Sequence, residues 1–85
     1  MVKRRELLGK ILSCTADTNI PFADLRMLLL GMGFDERVRG DHHIFTRDDV
    51  REIVNLQPKG SLAKVYQVRQ VRNLILEYKL GGSDV

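Results

Sequence analysis

The apolar pattern of this 85-residue chain changes period just after Gly33, and that change limits the fold more than any single residue does. Before it, Leu7, Leu8, Ile11 and Leu12 repeat on one face of a helix expected over about Lys3 to Cys14, with Lys3, Arg4 and Lys10 off that face. Thr15 to Asn19 is short and polar and reads as a loop. Pro21 suits the first turn of a second helix, whose Phe22, Leu25, Leu28, Leu29 and Met32 keep the helical spacing. Gly33 ends it, with Phe34 placed to fold back on Leu29 in a Schellman-type stop.

From Asp35 onward the alternation is that of strands. Arg37-Val38-Arg39, His43-Ile44-Phe45-Thr46 and Ile53-Val54-Asn55-Leu56 are three short β-prone pieces, the last two separated by the turn-like Arg47-Asp48-Asp49. They lie close enough in sequence to form an antiparallel meander. Pro58-Lys59-Gly60-Ser61 breaks the sheet, and a last helix is expected from about Val65 to Leu80. Its Val68, Val71, Ile75 and Tyr78 face inward, Arg69, Arg72 and Lys79 lie on outer or flanking faces, and Gly81-Gly82-Ser83 marks its end. The expected architecture is α+β in the order α-α-β-β-β-α: helices on one face of a small three-stranded antiparallel sheet, the other face open. No internal repeat or low-complexity tract interrupts it, so residues 1–85 form a single domain with one modest core.

Composition excludes several function classes. An apolar fraction of 44% with 29% charged residues is that of an ordinary globular domain. The longest apolar run, Met27 to Leu30, is far below the roughly 20 residues of a membrane span. The N-terminus turns amphipathic straight after its basic residues, unlike a secretory signal, so a cytoplasmic location is expected. The single cysteine, Cys14, allows no internal disulfide and reads as apolar filling at a helix end. Lys59-Gly60-Ser61 lacks the spacing of a phosphate-binding P-loop, and no nucleotide or other small-molecule cofactor is implied.

The net charge of +3 is unevenly spread. Residues 1–10 carry four Lys/Arg against one Glu, residues 11–57 five against eight acids, and residues 58–85 five against two. Both ends are basic around an acidic middle, a pattern that fits a phosphate backbone if the ends meet and a solvated helix face if they do not.

Both histidines of the chain stand in Gly40-Asp41-His42-His43-Ile44-Phe45. An imidazole with an ordinary pKa of about 6.5 gives or takes a proton near neutral pH, which makes this hexapeptide the seat of any acid–base chemistry. On a strand His42 and His43 point to opposite faces, so one supports while the other meets a ligand. Asp41 has two opposite uses: it raises the pKa or sets the tautomer of a neighbouring imidazole, or it repels a phosphate. Two adjacent strand histidines diverge, which disfavours a metal site. One histidine beside cations is enough to cut RNA without metal, because the 2′-hydroxyl is a built-in nucleophile. The candidate cations are Lys59, Lys64, Arg69 and Arg72 near the last helix, with Arg39 and Arg47 flanking the histidines. Tyr66 either stacks on a base or caps the core, whereas Phe22 and Phe45 read as core.

Gly40-Asp41-His42-His43-Ile44-Phe45, followed by Leu56-Gln57-Pro58 and by Tyr66-Gln67-Val68-Arg69-Gln70-Val71-Arg72, resembles the HicA family of bacterial toxins. The likeness covers roughly Phe22 to Leu80. It implies a fold like the double-stranded RNA-binding domain over residues 20–80. It also implies an mRNA interferase activity with a single catalytic histidine and inhibition by a HicB-type antitoxin protein. The histidine after Gly-Asp, His42, best matches the catalytic position, and His43 is the second choice. Lys59, Lys64, Arg69, Arg72 and Arg39 are then the RNA-holding cations, with Gly40, Asp41 and Tyr66 in support. The antitoxin would cover the histidine strand or the basic face with acidic or aromatic residues. Asp41 stands where the family has a small Ser or Gly, and residues 1–18 add a helix and loop that compact members lack. Two other functions stand beside this one: a non-catalytic RNA-binding module, and a partner-docking domain without RNA affinity.

Overall fold

A computed structural model describes residues 4–13 and 17–80. Helix α1 spans Arg4–Ser13, α2 Phe22–Gly31 and α3 Val65–Tyr78; between α2 and α3 run the strands β1 Asp35–Arg39, β2 His42–Arg47 and β3 Val50–Leu56. The chain is thus α+β, with three helices among the described residues and one antiparallel sheet in the order β1-β2-β3. Each strand is longer than its β-prone residues alone foretell, because Asp35, Glu36, His42 and Arg47 pair as well and Val50 starts β3 opposite Arg47. The expected loop after α1 contains a 3-10 turn at Asp17–Asn19, while the expectation for Cys14 falls outside the described residues.

The stop of α2 follows from its residues. Gly33 adopts φ of +90°, a left-handed conformation that costs glycine little. Phe34 N–H then reaches Leu29 O at 3.1 Å and Gly33 N–H reaches Leu30 O at 3.1 Å, the paired bonds of a Schellman motif. Phe34 and Leu29 are both buried, which supplies the apolar contact of that motif. At the other end Pro21 is the extended N-cap rather than part of the first turn; its carbonyl accepts from Asp24 and Leu25.

The end of α3 differs from expectation. Its left-handed residue is Lys79, with φ of 54°, and Lys79 and Leu80 both donate to Ile75 O. The helix therefore stops two residues before Leu80, and the expected role of Gly81-Gly82-Ser83 lies outside the described residues.

A two-residue turn, Gly40-Asp41, joins β1 to β2 and sets the register Arg39 opposite His42, Val38 opposite His43 and Glu36 opposite Phe45. Phe45, Val54 and Leu56 point into the core, where they meet Leu25, Leu28 and Leu29 of α2 and Val68, Val71 and Ile75 of α3. Leu7, Leu8 and Ile11 of α1 belong to the same core, so the N-terminal helix is integral to the fold. The opposite side of the sheet carries Arg37, Ile44, Thr46 and Ile53, and no helix among the described residues covers it.

Candidate functional site

Strand alternation separates the two histidines. His42 turns away from Phe45 and keeps its side chain 49% exposed; its Nδ1–H donates to Asn55 Oδ1 at 3.2 Å. In the neutral ring this places the lone pair on Nε2, the atom left to take a proton. His42 lines a small cleft of about 210 Å³ with Asn55, Gln57, Tyr66 and Gln67.

His43 turns to the core side and is largely covered. Its Nδ1–H donates to Glu36 Oε2 at 2.8 Å, and its ring meets Phe22 edge-on with centroids 4.9 Å apart. The same carboxylate oxygen accepts from Arg26 Nε at 2.7 Å. Arg26, and then His43, hold the Glu36 carboxyl below the usual carboxylate range against the opposing effect of burial.

Polar residues build the floor of the His42 cleft. Gln67 is 98% buried at the start of α3; with its amide oriented to satisfy both groups, it accepts from Gln57 N–H at 2.9 Å and donates to Gln57 O at 3.1 Å. That clamp fixes the Gln57 backbone. The Gln57 side chain then donates to Asp41 Oδ2 at 2.8 Å and accepts from Lys64 Nζ at 3.3 Å. Asp41 Oδ1 stands 3.9 Å from His42 Nε2, and the Gln57 hydrogen bond lowers the Asp41 pKa. Asp41 is thus an anion at the mouth of the cleft, tied through Gln57 to a cation.

Beside the cleft runs a groove of about 830 Å³ that gathers Lys59, Lys64, Tyr66 and Arg69. Its wall is held by the turn at Lys59 to Leu62, where Gly60 has φ of +61° and Lys59 N–H donates to Leu62 O at 2.8 Å. That turn is stitched to the start of α2: Phe22 N–H donates to Ser61 O at 2.9 Å and Ala63 N–H to Ile20 O at 2.8 Å. Tyr66 lines both the groove and the His42 cleft, so the two are continuous.

The expected cations therefore divide. Lys59, Lys64 and Arg69 come together, whereas Arg39 lies across the hairpin from His42 in a separate depression with Arg37, Ile44 and Ile53. Arg47 is paired with Asp49 at 2.8 Å. Arg72 is not on an outer face: its side chain is 13% exposed, and its Nη1 donates to both oxygens of Asp17 (2.9 and 3.0 Å) and to Ile11 O (3.3 Å). Its reach across to the 3-10 turn, 55 residues away in sequence, makes it a tie between the N-terminal segment and α3. Tyr66 is exposed and does not cap the core.

Asn55, Gln57, Gln67 and Glu36 are the site residues that residue patterns alone did not single out. A signal existed for Gln67, which shares the inward stripe of α3 with Val71 and Leu74. Glu36 becomes a partner of His43 only once the strand register is known.

Among the described residues no group of three or more His, Cys, Asp or Glu side chains converges, and no helix is long and apolar enough to cross a membrane. No family model, curated protein or solved structure matches this chain.

Proposed function

We propose that this chain is the toxin of a type II toxin–antitoxin pair: a metal-independent endoribonuclease that cuts mRNA in the cytoplasm, with a HicA-like, double-stranded-RNA-binding-domain-like fold and a HicB-type antitoxin as its inhibitor. The observation that carries the reading is the shared wall: Tyr66 joins the cleft of His42 to the groove of Lys59, Lys64 and Arg69, so a proton acceptor opens onto a phosphate-binding surface. A three-stranded antiparallel sheet backed by helices is in keeping with the RNA-binding fold.

In this reading His42 Nε2 takes the proton of a ribose 2′-hydroxyl. The O2′–P bond forms as the P–O5′ bond breaks, and the departing 5′-oxygen takes a proton from water. Lys64 and its neighbours offset the charge that builds on the phosphoryl oxygens. The products are a 2′,3′-cyclic phosphate and a 5′-hydroxyl. Incubation of the purified chain with a long mRNA in EDTA tests the reading: cleavage with these two end groups supports it, and intact RNA overturns it.

His43 is the second choice for the reacting group, favoured by its bond to the Glu36 carboxylate, which fixes a ring orientation and stabilises an imidazolium. A non-catalytic RNA-binding module is the alternative function, favoured by Asp41, whose anionic carboxylate faces His42 Nε2 where a substrate phosphate would approach. That module shifts mRNA in a gel and leaves it whole.

A further inference from the structure

Of the five aromatic residues, Phe22, Phe34 and Phe45 are buried and Tyr78 is half-buried, its hydroxyl donating to Glu52 at 2.5 Å. Tyr66 alone is exposed, at 62%, and no ring–ring contact among the described residues involves it. Its surroundings differ in charge from side to side, with Arg69 lining both. On one side lie Lys59 and Lys64; on the other, a depression along α3 carries Glu52 and Glu77. The phenol ring stands at the junction of both with the His42 cleft.

For a nucleic-acid strand whose phosphate sits by His42, the way out along α3 that charge favours runs past Tyr66 toward Lys59 and Lys64 and away from the two glutamates. Tyr66 lines both the cleft and the groove on that path, whereas the two lysines line the groove alone. An aromatic face offered to a strand in a cationic groove is the arrangement by which single-stranded nucleic acid is held without sequence readout. A base inside a duplex is stacked on its neighbours and cannot lie on the ring.

The geometry points to Tyr66 as a base-stacking platform that selects single-stranded over double-stranded RNA and sets which nucleotide lies at His42. This inference rests on the nuclease reading for the identity of the reacting position, but its binding step is independent of cleavage.

The test uses a single-stranded 12-nucleotide 2′-O-methyl RNA, which has no 2′-hydroxyl to react, and the same strand annealed to its complement. Binding is read by fluorescence anisotropy at low salt for the wild-type chain and for Tyr66→Ala and Tyr66→Phe. The wild type should bind the single strand at least tenfold more tightly than the duplex. Tyr66→Ala should lose about 5- to 100-fold for the single strand, with little change for the duplex, and Tyr66→Phe should keep the wild-type affinity. A 2-aminopurine scanned along the strand should be quenched at one position by the wild type and not by Tyr66→Ala. Because the ring is exposed, all three chains should melt at the same temperature. Equal affinity of Tyr66→Ala and wild type for the single strand overturns the inference, as does equal loss for strand and duplex. Wild-type chain with no affinity for either RNA overturns the inference and the nuclease reading together. Stacking without cleavage of ordinary RNA overturns the nuclease reading alone.

Discussion

His42 and His43 are neighbours in the chain, yet they live in different chemistry. One opens onto a cleft floored by Asn55, Gln57 and Gln67; the other is pinned between Glu36 and the ring of Phe22. The same contrast recurs on α3, where Arg69 is exposed on the groove with Asp17 no nearer than 3.8 Å, and Arg72, three residues on, is sealed against the same carboxylate at 2.9 Å. In both pairs residue type is shared, and what separates structural from available is how closely a carboxylate on another element is engaged and how far the side chain is covered. A histidine or arginine in a small domain is thus assigned by what faces it across the fold.

The largest stability effect that tests this contrast is at the sealed arginine. Arg72→Ala leaves Asp17 in a largely covered site without its main cation and should cost about 3 kcal/mol, seen as a lowered urea midpoint. Arg69→Ala should change stability by less than about 0.5 kcal/mol and instead flatten the salt dependence of RNA binding by roughly 0.7 in log–log slope. Equal melting of the two variants would break the comparison.

Glu36→Gln comes next, at about 2 kcal/mol, because it weakens the bonds to both Arg26 and His43. The native Glu36 carboxyl titrates below its ordinary value of 4.5, so the unfolded chain binds the proton more readily than the folded one. Its contribution is therefore complete above about pH 4.5 and is lost as pH falls through the lowered native value. Urea midpoints of wild type and Glu36→Gln should accordingly converge on acidification. A gap that stays constant with pH would show that the carboxylate charge plays no part.

The smallest effect belongs to Asp41. Asp41→Ser removes an anion from the mouth of the His42 cleft and frees Gln57, and with it Lys64, from that tie. RNA affinity at low salt should rise by about two- to fivefold, with the gain fading near 0.5 M salt. Weaker binding would instead mark Asp41 as the brace that positions Gln57 and Lys64.

Much of the fold was legible in residue spacing. The switch from helical period to alternation at Asp35, the Gly33-Phe34 stop and the meander all follow local rules that need no knowledge of the rest of the chain. The opposed faces of His42 and His43 follow from strand alternation alone. Which one is covered does not, since Glu36 and Arg26 reach His43 only through the sheet register and the packing of α2. Arg72 shows a related limit: helical spacing puts it on an outer or flanking face beside Val68, Val71 and Ile75, and the acid that draws it inward sits 55 residues away. Lys79 shows the same limit at a helix end, where a lysine takes the left-handed conformation although glycines follow it.

The most direct test of the account compares metal-free mRNA cleavage by wild type, His42→Ala and His43→Ala, each checked for folding by its melting curve. The account predicts that His42→Ala melts like wild type and loses about 100-fold or more of its cleavage rate, whereas His43→Ala melts earlier and still cuts at temperatures where it is folded. Full cleavage by a folded His42→Ala would contradict it and move the reaction to the histidine beside Glu36.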